Sequence, residues 1–355
     1  MGRRPPRRRL RLSAWLGALL LTLAGCAAAP LPEGTLADRL NSSLRQGQAA
    51  FVDNFAVGSA AGSEWFAVLN GTPATFRQPD PKTLVVSAMV PGDRRPATWT
   101  LRLELDATGR IRTVAPTSDR PIWALGLVDV TTTTHGTLLS SGLDASARSE
   151  WADRLDRAAA AVARTAPAGE DAWQGGLVVE VPANGSDFQA ITNELPNTAS
   201  ALTTCGTGTP RVVVNPLVLD QSDEWLESTL VHEAVHVATD SACVPAGRSF
   251  PWAVEGLAES VTARIRPVTA DENRALVTAY LRDHPVPQSL PSDLTDLTDY
   301  ALAQLAVDQV RAHLPNTADD LLDRAVHASG SVSATELRQV TRWYVSALQR
   351  IAATR

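Results

Sequence analysis

Along the chain, short alternating runs dominate the first third and helical spacing dominates the last. Leu36, Leu40, Leu44, Phe51 and Phe55 fall near a 3.6-residue period and predict a helix over residues 35–56. Trp99, Leu101, Leu103 and Leu105 alternate with Thr100, Arg102 and Glu104, which predicts a strand over 98–106. Ala107, Thr108 and Gly109 form the turn, residues 110–114 the returning strand, and 83–90 a further strand. Prolines 116 and 121 bracket a polar stretch that reads as a boundary. Beyond it, strands are expected over 123–133, 135–140, 177–181 and 211–214. Helices are expected over about 145–165, 223–240, 251–266, 271–282, 297–313, 318–328 and 334–352. Asp144 or Ser146 caps the first of these, Ser222 the second, and Pro251 opens the third.

The pattern is α+β in two parts. A small helix-plus-antiparallel-sheet unit spans 35–120 and looks by topology like the cone-shaped nuclear-transport-factor-like folds. A second domain, 122–355, has a mixed sheet, a central helix and a C-terminal helical bundle. No internal repeat is visible.

Composition narrows the class. With 355 residues and 44% hydrophobic content, the chain has material for sizeable cores. A net charge of −6 gives no reason to expect nucleic acid. The one dense cationic run, Arg3 to Arg11, precedes an apolar run over 12–24, and the whole segment ends on Leu23, Ala24, Gly25 and Cys26. This is the layout of a secretory signal peptide over 1–25, and the apolar run is short for a membrane span. Its end resembles the bacterial lipobox. That resemblance implies lipidation of Cys26, a tether over 26–34, and an extracytoplasmic protein anchored to the cell membrane. Lys82 is the only lysine, and the Arg, Ala and Pro richness suggests a GC-rich, actinobacterial coding sequence. Cys205 and Cys243 are then an even pair in an oxidising place, where a disulfide can persist.

The candidate chemistry centres on LVHEAVHVATD, residues 230–240. On a helix, His232 and His236 share one face, so two imidazoles can meet one cation. Glu233 lies about 100° round, suited to reach a water rather than to join the pair. Separated from His236 by eighteen residues comes Glu255, and one turn later Glu259, within PWAVEGLAES. Here the sequence resembles the gluzincin metallopeptidases, whose pattern is HExxH followed by a glutamate on the next helix. The resemblance is specific over residues 211–260. It implies one Zn2+ per chain held by His232, His236 and Glu255, with Glu233 as general base and Glu259 supporting a histidine. It also implies that Val212, Val213, Val214 and Asn215 form the edge strand along which a peptide or protein substrate lies. Tyr300 is the candidate oxyanion donor, with His284, His313 and His327 as competitors. The expected function is zinc-dependent peptide hydrolysis. The alternative is an inactive peptidase-like lipoprotein that binds envelope peptides or proteins. Substrate and oligomeric state are not legible.

Overall fold

The computed structural model describes residues 34–115, 120–165, 173–195 and 199–354. The expected signal peptide, Cys26 and all but the last residue of the expected tether lie outside these.

The described residues open with α1 (Leu36–Gln46), α2 (Gln48–Val52) and α3 (Ala61–Leu69). Thr35 and Asp38 form a capping box that starts α1. The single helix expected over 35–56 is broken at Gly47, whose φ of 111° ends α1 where only glycine is unstrained. Four strands come next: β1 (Ala74–Asp80), β2 (Thr83–Ala88), β3 (Ala97–Leu105) and β4 (Ile111–Ala115). They form an antiparallel sheet in chain order. On β3, Ala97, Trp99, Leu101 and Leu103 are buried and the residues between them exposed, as the alternation predicts.

The second unit begins with a 3-10 turn at Ile122–Ala124 and then β5 (Asp129–Thr132). The long strand expected over 123–133 is therefore mostly turn, and Trp123 is buried within that turn. Then come β6 (Gly136–Ser140), α4 (Ala145–Thr165), β7 (Leu177–Val181), α5 (Gly185–Thr192), β8 (Ala201–Thr204) and β9 (Arg211–Val214). The remainder is helical: α6 (Asp223–Thr239), α7 (Pro251–Ile265), α8 (Pro267–Asp283), α9 (Leu297–His313), α10 (Ala318–His327) and α11 (Ala334–Ala353). The α8 helix starts four residues earlier than expected, with Pro267 in its first turn. Among the described residues no helix is long and apolar enough to cross a membrane.

The second sheet has the order β5-β6-β7-β9-β8. Its centre is parallel and both outer strands run antiparallel to their neighbours. Buried on both faces, β7 and β9 alternate between two cores. Leu177, Val179, Val181, Val212 and Val214 face α4, α6 and the C-terminal helices. Val178 and Val213, with Leu139, Phe188 and Ile191, join Trp65, Trp99 and Trp123 in the other. The three tryptophans meet edge to face, with ring centroids 4.7 and 5.4 Å apart. The stretch around residue 121 thus does not divide two hydrophobic cores. The N-terminal unit covers one face of the second sheet.

Charge is also buried at this junction. Arg211 of β9 forks onto Asp93 at 2.9 and 2.7 Å and reaches Glu180 of β7 at 2.9 Å. Its guanidinium lies over the Trp99 ring.

Candidate metal centre

The helix α6 is built to start and stop where it does. Ser222 accepts from the Trp225 amide, and Asp223 and Glu224 complement the positive end. Asp240 ends it in the left-handed region, φ 57°, a conformation aspartate tolerates better than most. Between these caps, Leu226, Leu230, Val231, Ala234, Val235 and Val237 enter the core. That burial fixes the rotation of α6 and turns His232 and His236 toward α7.

The α7 helix opens on Pro251 and brings Glu255 against both histidines. Its Oε2 lies 3.1 Å from His232 Nε2 and 3.2 Å from His236 Nε2. The two Nε2 atoms are 3.1 Å apart. Three donors bonded tetrahedrally to one cation at ~2.0–2.1 Å stand about 3.3 Å from each other. The triangle fits that demand closely, and these three side chains could hold a metal ion.

The outer nitrogens are held as well. His232 Nδ1 lies 2.9 Å from Glu259 Oε1. Asn273 of α8 donates to Glu259 Oε2 at 2.8 Å and to Gln304 Oε1 of α9 at 2.7 Å. His236 Nδ1 lies 3.0 Å from Ser241 Oγ. Such partners fix ring orientation and tautomer, and leave Nε2 free to ligate.

Electrostatics obey the same geometry. Burial pulls the His232 imidazole down, but hydrogen bonds and charge from Glu255 and Glu259 outweigh it and carry it well above its ordinary value. Burial pushes Glu255 up, and the opposing attraction of His236 and His232 leaves it far below the usual carboxylate range. Glu259 is lowered on balance too, burial being outweighed chiefly by His232. The cluster attracts positive charge, which a proton or a cation can supply.

Glu233, next to His232 on α6, bonds to β8. Its Oε2 accepts from Thr203 Oγ1 at 2.7 Å, and the same hydroxyl reaches the Glu233 carbonyl at 3.1 Å. Tyr300 sits in the first turn of α9, after an Asp296–Asp299 capping box. Its ring centroid is 6.0 Å from that of His232. Burial, then the charges of Glu255, Glu233 and Glu259, raise its phenol strongly, so it keeps its proton. Close approach of α9 to α7 depends on Gly256: a Cβ there would lie 2.3 Å from the Ala303 carbonyl. The three competing histidines have other partners. His284 stacks on Tyr280, His313 on Trp343, and His327 bonds the Thr239 carbonyl.

One expectation is corrected. The strand Arg211–Val214 is not an edge, because β8 pairs along its whole length. Val212, Val213, Val214 and Asn215 are buried and cannot meet a substrate main chain. The edge is β8, a four-residue strand with the weak signature Ala-Leu-Thr-Thr. Asn215 N donates to the Ser200 carbonyl, so by alternation Ala201 and Thr203 turn their main-chain groups outward. Sequence reading also missed Thr203, Ser241 and Asn273. Only Ser241, five residues after His236, lay close enough to the motif to be found.

Cys205 and Cys243 form a disulfide, with Cα atoms 5.1 Å apart. It joins the end of β8 to the turn after α6.

Comparison of the chain with family models, with curated proteins and with solved structures gives no match.

Proposed function

We propose that the protein is a zinc-dependent peptide hydrolase, carried outside the cytoplasm on a lipid at Cys26. The observation that supports this best is the mutual 3.1–3.2 Å spacing of His232, His236 and Glu255 donors from two helices. Two nitrogens and one oxygen form the donor set that zinc takes in hydrolytic sites with an open position. A bound zinc ion supplies a Lewis acid that makes water a nucleophile near neutral pH.

The remaining steps belong to the chain. An extended peptide would add to β8, the outer strand on that side of the sheet. Glu233, oriented by Thr203, takes the proton from the attacking water and passes it to the leaving amine. The neutral Tyr300 hydroxyl donates to the oxygen on which charge develops. Glu259 and Ser241 hold the two imidazoles in register.

The test combines metal analysis with a broad peptide library. About one zinc per chain, cleavage abolished by a chelator, and a Glu233→Gln variant that keeps zinc but cannot cleave are expected. Zinc retained with no peptide cut by the unmodified protein would instead favour a binding lipoprotein. A chain that takes up no zinc sinks the reading altogether.

A further inference from the structure

The last carbonyls of any α-helix lack partners within it. Those of α6 are met by side chains from distant parts of the chain. Arg94 Nη1 donates to the Val237 and Ala238 carbonyls at 3.2 and 3.0 Å. His327 Nε2 donates to the Thr239 carbonyl at 2.6 Å. Arg95 then forks onto the Asp240 carboxylate, both contacts at 2.9 Å, and its Nε donates to the Gly208 carbonyl. The residue before them, Asp93, anchors the same loop on buried Arg211. Three consecutive residues between β2 and β3 thus reach into the second unit, two of them to the end of the metal helix.

The C-terminal end of α6 leads directly into a partner of the metal site. Asp240 is the left-handed cap, and the next residue is Ser241, which faces His236 Nδ1. With Nδ1–H donating to the Ser241 hydroxyl, the Nε2 lone pair is left for a cation. Helix ends fray, and His236 lies one turn from this one. His232 is served from elsewhere: Glu259 of α7, itself bonded by Asn273 of α8, lies at ion-pair distance from its Nδ1.

We propose that Arg94 and Arg95 are positioning residues for His236. The N-terminal unit fixes the end of α6 and, through Asp240 and Ser241, the orientation of one metal ligand. This role rests on the reading of the triad as a metal centre. It makes the N-terminal unit part of the centre rather than a spacer.

The experiment measures zinc affinity of the full chain by competition with a chelating dye, with Co2+ spectra as a second readout of ligand geometry. Arg95→Ala and Ser241→Ala are each expected to weaken binding by about 10- to 100-fold. Together they weaken it no more than the stronger of the two, because both act through one hydrogen bond. Arg95→Ala combined with Asn273→Ala multiplies the two effects, since these act on different histidines. Asp240→Asn keeps a residue suited to the left-handed cap and removes the ion pair, so it reports the same link should Arg95→Ala fail to fold. Arg95→Lys, which offers no fork, falls between wild type and alanine. Zinc affinity of both Arg95→Ala and Asp240→Asn within about twofold of wild type overturns the proposal, as do multiplying effects of Arg95→Ala and Ser241→Ala. If wild type itself takes up no zinc, the metal reading falls and this role with it. Tight binding by wild type and by both variants removes only the clamp.

Discussion

Two clusters of ionisable side chains, one buried and one partly so, flank the second sheet, one on each side. On the N-terminal side, Asp93 and Glu180 share the guanidinium of Arg211. On the helical side, Glu255 shares two imidazoles. The first cluster carries its own permanent cation, and the planar fork of arginine satisfies both acids at once. The second has none. Its nitrogens converge at 3.1 Å, a distance that needs a proton or a metal between the lone pairs. Ionisable side chains are complete in the fully buried cluster and await a partner in the other, where Glu255 keeps 24% of its side chain exposed. Whether the positive charge is built in separates a structural knot from a candidate centre.

Four experiments press on that contrast, in descending order of expected effect. Glu233→Gln should lower kcat on a cleaved peptide about 10²–10⁴-fold, with zinc content unchanged; a rate within error of wild type would remove Glu233 from the chemistry. Arg211→Met leaves two buried carboxylates uncompensated and should cost about 3–5 kcal/mol in urea unfolding. Replacing Asp93, Glu180 and Arg211 together by apolar residues should recover most of that loss, as expected of a self-contained ion cluster. Chelation should lower the stability of wild type by about 2.7 kcal/mol relative to protein held at free zinc 100-fold above Kd. His236→Ala should show no such response in thermal melts, and an equal response there would place the metal elsewhere. Thr203→Val should cost about 1–1.5 kcal/mol of transition-state stabilisation, read as kcat/KM, through loss of one hydrogen bond to Glu233.

The same contrast explains which parts of the molecule were legible in the sequence. His232, Glu233 and His236 are related by helical geometry alone, so their mutual placement could be read directly. Glu255 and Glu259 came from the next helix, and α9 spans the expected 297–313. The arginine cluster gave no such signal. Arg211 looked like the first residue of a strand, and its partner Asp93 lies 118 positions away. Arg95 and Asp240 are 145 apart. Short elements were also lost: α3, β1, α5 and β8 are held by their neighbours more than by their own patterns. Missing β8 is what made β9 seem an edge.

The Cys205–Cys243 bond has a mechanical consequence. The bond pins β8 and α6 together just beyond their C-terminal ends. The Thr203–Glu233 hydrogen bonds tie them again further back. Two fasteners in line act as a hinge, so any parting of the two elements is wedge-shaped, widest toward Ala201 and the start of α6.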